Sequence, residues 1–174
     1  MGGLTSLKIR GMAEAMAQLS RKKITVGWID PEAKHKDPVS GKQTISLGKI
    51  ARVLSTGWEA GVGADGREYP RLPARDFFSV ARKLYSKKLN VIVKKAMKTV
   101  AKQKQTADEA CEMLAVYWEG KVQAAMRKSG EYEKLAESTI AARSNTHRTV
   151  PAENLETPLI DAGVLIASIT HKVT

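Results

Sequence analysis

An α+β fold is predicted for this chain, with a small antiparallel sheet of two to four strands packed against a long amphipathic helix or helical hairpin plus shorter helices and extended loops. Three observations predict it. Phe78, Ala81, Tyr85, Leu89, Ile92, Ala96 and Val100 recur at steps of three or four without a miss, which defines one buried face of a long helix. β-Branched Ile24, Val26 and Ile29 surround Trp28 and stop at Asp30-Pro31, the pattern of a strand and its end. At the C-terminus, Ile169 and Val173 alternate with Thr170, Lys172 and Thr174, giving a strand free to pair with residues 24–29.

Taken in order, the chain opens with Leu7 and Ile9 alternating with Lys8 and Arg10, which predicts a short strand over 4–10 closed by Gly11. Met12, Met16 and Leu19 share a stripe that predicts a helix over 12–21. Residues 30–46 are rich in Lys, Asp, Pro and Gly and read as a polar, exposed and mobile arm. Ile50, Val53 and Leu54 are spaced for a helix over 47–54 that Ser55-Thr56-Gly57 ends. The stretch 57–73, rich in glycine and carrying Pro70 and Pro73, reads as a long loop, of the kind that serves a partner or remains mobile.

The long helix follows, with Lys83, Lys87, Lys94 and Lys98 on a face away from its apolar stripe. A second stripe of Ala110 or Cys111, Leu114, Tyr117 or Trp118, Val122 and Ala125 continues to about residue 127. Thr106 and Glu109 match a capping box, so the helix is expected to break near Gln105 into an antiparallel pair rather than run on as one rod. Ser129-Gly130 closes this region. A short helix is predicted over 138–143, then a polar loop to 157, then a turn, one helical turn and the final strand.

The length of 174 residues suits a single domain, here with an exposed arm at 30–46 and a long loop at 57–73. Apolar residues make up 43% and charged residues 27%, the balance of a globular chain, while aromatics at 5% favour aliphatic helix packing over a β-sandwich core. The lone cysteine, Cys111, excludes an internal disulfide and a thiolate zinc site, and its place on the apolar stripe marks it as a buried small hydrophobe. No apolar run approaches the ~18 residues of a membrane span and no secretory signal is visible, so a soluble chain made inside the cell is expected. The opening Met1-Gly2 with Ser6 fits a myristoylation pattern too short to carry weight.

The formal net charge is +11 and it is unevenly placed. Residues 74–104 hold ten Lys/Arg against Asp76 alone, whereas residues 105–174 hold seven against ten Asp/Glu. A basic helix followed by a mildly acidic remainder is the result. Lysines on one face can neutralise phosphates, which keeps a basic helical nucleic-acid-binding protein as the alternative reading; no helix-turn-helix or RNA-binding signature accompanies them.

No catalytic signature is present. G-x-S-x-G, a Walker loop and H-E-x-x-H are absent, and Gly61, Gly63 and Gly66 lack the strand–helix setting of a dinucleotide fingerprint. His35, His147 and His171 fall in an arm, a loop and a strand, with no spacing that gathers metal ligands. Asp30, Glu32 and Asp37 are interleaved with Lys34, Lys36 and Lys42, as in an ion-pairing arm rather than a cation site. The expectation is a protein that is not an enzyme and holds no cofactor or metal.

Two stretches carry a family resemblance. One runs Ile50-Ala51-Arg52-Val53-Leu54-Ser55-Thr56-Gly57 through the Gly-rich segment into Leu72-Pro73-Ala74-Arg75-Asp76-Phe77-Phe78. The other runs Leu135-Ala136-Glu137-Ser138-Thr139-Ile140-Ala141-Ala142-Arg143 into Pro158-Leu159-Ile160-Asp161-Ala162-Gly163-Val164-Leu165, ending Ser168-Ile169-Thr170. With Val26-Gly27-Trp28, this ordered set resembles the neck and tail-completion proteins of long-tailed bacteriophages, also described as minor tail or virion morphogenesis proteins. Members commonly show His-Glu-aromatic-Gly where this chain has Leu54-Ser55-Thr56-Gly57, Pro where it has Asp76, and Thr where it has Ala162.

The resemblance implies a non-enzymatic virion protein that forms a ring at the head–tail junction or tail end, a hexamer in the usual tail-end ring. It implies contacts with tail or connector proteins, and a place in the virion after assembly in the host cytoplasm. A ring joins two different surfaces of one subunit. The Lys83, Lys87, Lys94 and Lys98 face suits either that contact or a channel crossed by genomic DNA, and the arm and Gly-rich segment suit ordering on a neighbour.

The motif residues also have local readings as fold determinants. Pro73 ends the loop, and Phe77 and Phe78 anchor the long helix on the sheet. Asp161 caps the turn from Ala162 to Ala167, Gly163 allows close backbone approach, and Leu165 and Ile169 pack inward. Pro158, Leu159 and Ser168 belong to the same motif. Arg75 is open to three roles: snorkelling, pairing with an acid or touching a neighbouring subunit.

Overall fold

A computed structural model describes residues 3–29, 34–36, 43–63, 66–144, 156 and 164–174. Helix α1 (Gly3–Arg21) replaces the expected strand over 4–10. The alternation there spans one short segment, and the helical pattern that begins at Met12 extends backwards through it instead, since a helix satisfies its own backbone whereas a short strand needs a partner. Gly11 lies inside α1, where a Cβ would overlap the Gln103 side-chain amide.

Strand β1 (Ile24–Gly27) stops two residues short of the expected end. It pairs antiparallel with the last strand, β6 (Thr170–Val173), Ile24 opposite Val173 and Gly27 opposite Thr170. Mutual backbone bonds between Lys23 and Thr174, at 2.7 and 3.0 Å, close the ladder. The terminal pairing expected from the alternating pattern is therefore present.

The polar arm contains a hairpin. Strand β2 (Lys34–Lys36) pairs antiparallel with β3 (Gln43–Ser46), with a register shift between His35 and Lys36. Ser46 then leaves the strand and caps α2 (Leu47–Thr56), its Oγ accepting from the Lys49 N–H at 3.3 Å. Gly57, at φ 65°, ends α2 and donates its N–H to Val53 O at 2.8 Å.

The glycine-rich stretch 57–73 is likewise a hairpin rather than an open loop. Trp58 and Leu72 exchange backbone hydrogen bonds of 2.9 Å in both directions. Beyond them, β4 (Gly61–Val62) runs antiparallel to β5 (Glu68–Tyr69), and the Trp58 Nε1–H donates across to Pro70 O at 2.8 Å.

Helix α3 (Phe77–Ala101) and helix α4 (Ala107–Met126) form the antiparallel pair that the Thr106–Glu109 spacing predicts, with both halves of the capping box in place. Alanines set their close contact: Ala81, Ala96, Ala110, Ala115 and Ala125 are buried between larger neighbours. At one end, Phe77, Val122 and Met126 pack with Leu47 and Ala51 of α2, and with Leu165 and Ile166 of α6 (Val164–Ala167). At the other, Val100 and Leu114 pack with Ala15 and Leu19 of α1 and with Ile24. A 3-10 turn over Ser129–Glu131 leads from α4 towards α5 (Glu137–Ser144). The Tyr132 hydroxyl donates to Ala125 O at 2.9 Å near the α4 terminus, and burial pushes its phenol pKa upwards. The architecture is α+β: a helical hairpin with α1 and a two-stranded sheet against it, plus two small β-hairpins.

Candidate functional site

The sequence motifs converge on Trp28. Its indole lies edge-on to Phe77, with centroids 5.5 Å apart, and to Phe78 at 6.4 Å. Its Nε1–H is shared between Leu165 O and Ser168 Oγ, both at 3.1 Å. Ser168 Oγ in turn donates to Leu165 O at 3.1 Å, and Ile169 is buried beside them. Residues from three distant stretches thus meet at the end of β1, and every polar atom named is used in holding them. Phe77, Leu165 and Ile169 are buried in the core and Phe78 packs against it, as their local readings predict, while Ser168 is half-buried and anchors the indole N–H.

Asp76 prepares this junction. Its Oδ1 accepts from the Ser79 N–H at 3.1 Å and its Oδ2 from the Ser79 hydroxyl at 2.6 Å, capping α3. Burial pushes its carboxyl pKa up, but the Ser79 and backbone hydrogen bonds outweigh burial and hold it below the usual value. Pro73 lies just before, half-buried, and Arg75 is buried at 3% exposure with its backbone N–H bound to Leu54 O at 2.9 Å.

Lys83, Lys87, Lys94 and Lys98 of α3 fall within about 60° of helical arc, opposite the buried stripe. Lys83 is partnered within the subunit, its Nζ 2.7 Å from Glu131 Oε2. Lys87, Lys94 and Lys98 are exposed. Leu84 and Val91 lie on the same side, 38% and 67% exposed. That face sets two apolar side chains among exposed lysines.

The hairpin arm has the same character. Val62 is 69% exposed and Trp58 44%, while Glu59 and Glu68 are exposed near them. Two residues per strand and a single outer bridge supply little burial to keep this ladder formed by itself.

One polar cluster escaped the sequence reading. His171 on β6 is clamped between two carboxylates of α4: Nδ1 lies 2.6 Å from Glu119 Oε2 and Nε2 lies 2.7 Å from Glu112 Oε1. The seven-residue spacing of the two glutamates puts them two turns apart on one helical face, which was the available signal. Hydrogen bonds to Glu112 and Glu119 push the imidazole pKa above its ordinary value. The carboxylates approach opposite edges of the ring, so the trio ties sheet to helix and does not converge on a common point. Cys111 is buried as predicted, and burial pushes its thiol pKa up. Among the described residues, no group of three His, Cys, Asp or Glu is placed to hold a metal ion. No helix among them is long and apolar enough to cross a membrane.

The expected roles of Pro158, Leu159, Asp161 and Gly163 lie outside the described residues, as does His147. Compared with known proteins, the chain matches no family model, no curated protein and no solved structure.

Proposed function

We propose that this chain is a structural virion protein that completes or terminates a phage tail at the head–tail junction. It assembles as a ring of identical subunits, hexameric in the simplest case, against neighbouring tail or connector proteins, and it acts by fitting rather than by catalysis. The observation that carries this reading is the 57–73 hairpin, an arm with Val62 and Trp58 bare at 69% and 44% exposure. Such an arm has more to bury than its own subunit covers, and a head-to-tail ring supplies a different surface of the next copy. The exposed α3 face with Leu84, Val91 and three free-standing lysines offers a second, chemically distinct surface. The ordered motif likeness to tail-completion proteins supports the same reading.

The alternative, a basic helical nucleic-acid-binding protein, draws on Lys87, Lys94 and Lys98 being exposed on one face. Mass measurement of the purified chain followed by particle imaging tests the proposal. Closed rings at assembly concentrations are expected. A monomer that binds duplex DNA tightly, with affinity collapsing as salt rises, would replace this reading with the alternative.

A further inference from the structure

The two barest large apolar side chains among the described residues are Val62, 69% exposed, and Val91, 67% exposed. They stand among charges of opposite sign. On α3, the positions three and four residues either side of Val91 are its neighbours on the helix surface, and all four are lysines: Lys87, Lys88, Lys94 and Lys95. All four are exposed, and none forms an ion pair with a described residue.

On the arm, Val62 lies directly opposite Glu68 in the β4–β5 ladder, so their side chains share a face. The same register sets Trp58 opposite Leu72, which puts Trp58 and Ala60 on that face as well. An open groove of about 510 Å³ runs there, lined by Ala60, Gly61, Val62, Glu68 and Pro70. Glu59 and Glu68 are exposed and neither is ion-paired to a described residue. From Trp58 to Pro70 the sequence holds Glu59, Asp65 and Glu68 against Arg67 alone.

Four ammonium groups around one valine repel one another, and the valine itself gains by leaving water. An occupant that is both apolar and acidic relieves both costs. A phosphate backbone answers the charge but sets Val91 against a polar surface, whereas the Val62 face of the arm answers both. Lysine stems can lie along its apolar surface while their heads reach the carboxylates. Each chain carries both halves on different elements, so copies can join head to tail. Exposed charges of this kind select the partner and its register more than they add affinity.

We propose that the 57–73 arm of one copy docks on the α3 face of the next, with Val91 seated in the arm's groove and Glu68 turned towards the lysines around it. The contact rests on the ring reading above, and the experiment separates the two. Val62→Cys and Val91→Cys are made singly in the full chain, whose own Cys111 is buried, then mixed in equal amounts and joined with a short bismaleimide. A covalent dimer holding one of each is expected in the mixture, with little from either variant alone. Lys88→Glu/Lys95→Glu should weaken self-association about tenfold or more, and adding Glu59→Lys/Glu68→Lys to the same chain should restore it. All six positions are exposed, and unchanged circular dichroism spectra are expected. Absence of the mixed dimer, absence of the rescue, or a dimer formed as readily by one variant alone overturns the contact. Rings of the parent on imaging would then leave the ring reading standing, whereas a mixed dimer and rescue without closed rings uphold the contact and remove the ring. Protection of Val91→Cys from maleimide by a short DNA duplex, with no mixed dimer, overturns the contact in favour of a nucleic-acid surface.

Discussion

The Trp28 indole donates its N–H to the Leu165 carbonyl at 3.1 Å, joining the end of the first strand to the helical turn that precedes the last. The two residues are 137 positions apart, and the bond is roofed by Phe77 and Phe78 from a third stretch. Trp28→Phe keeps an aromatic ring against both phenylalanines but removes the donor. Leu165 O retains only the Ser168 hydroxyl, and the smaller ring leaves part of the site unfilled. The expected loss is about 1–3 kcal/mol of unfolding free energy. Urea denaturation checks it: a lower midpoint with an unchanged slope is expected, and an unchanged midpoint contradicts the role given to this bond.

Gly57 serves a second junction. At φ 65° it already favours glycine, and a Cβ there would lie 2.5 Å from Leu72 O and 2.6 Å from Ala74 N. Both are backbone atoms at the base of the hairpin arm and cannot rotate away. Gly57→Ala is expected to cost about 2 kcal/mol or more, combining left-handed strain of about 1–2 kcal/mol with the displaced strand. Thermal unfolding measures it. A second readout is quenching of Trp58 fluorescence, which changes if the arm detaches from its base.

The His171 clamp makes stability depend on pH in a stated direction. Its folded pKa is raised above the ordinary 6.5, by hydrogen bonds first to Glu112 and then to Glu119. A raised folded pKa means the stabilisation is fully present below the unfolded value and is lost as pH rises through the folded value. Stability is therefore expected to fall as pH rises from the ordinary imidazole value of 6.5 through the raised folded value. Denaturation midpoints across that window, compared with the Glu112→Gln/Glu119→Gln double variant, check the assignment. The variant should show a flatter profile, and equal slopes in both proteins would remove His171 as the cause.

Long-range periodicity made the core legible before any coordinates. The α3 stripe, the buried Cys111 and the pairing of β1 with β6 follow from the spacing of apolar residues, and the break before α4 follows from the Thr106–Glu109 capping box. Errors arose where local pattern was short or polar. Leu7 and Ile9 alternate like a strand, yet α1 runs through them. Lys34–Lys36 and Gln43–Ser46 carry no apolar alternation that announces a strand, and still pair antiparallel. Arg75 and Arg143 were legible as motif positions and illegible as buried residues, since burial of a charge depends on which distant segments close over it. The Glu112–His171–Glu119 trio needed the register of β6 against α4, which no single stretch contains.

The lysine face separates packing within the subunit from contact outside it. Lys83 is committed to Glu131 at 2.7 Å, whereas Lys87, Lys94 and Lys98 are exposed. Lys87→Glu/Lys94→Glu/Lys98→Glu should leave thermal stability within about 0.5 kcal/mol of the parent, as surface substitutions usually do. Ring formation by imaging should be lost. Intact rings from this variant would take the α3 face out of the subunit contact.

Val62 provides the sharpest test of the arm. At 69% exposure near the tip of a two-residue ladder, it contributes little to the fold of its own subunit. A carboxylate there should therefore be tolerated by the isolated chain: Val62→Asp is expected to keep its circular dichroism spectrum and unfolding midpoint. In a ring the same side chain would be driven into the neighbour's surface, and burying an unpaired charge costs several kcal/mol per contact. Because each closed ring repeats the contact once per subunit, the penalty multiplies around the circle, and assembly should fail outright rather than weaken. Sedimentation of Val62→Asp beside the parent chain checks this. A stable monomer where the parent forms rings is the expected result, and rings of unchanged size would show that the arm projects away from the neighbouring copy.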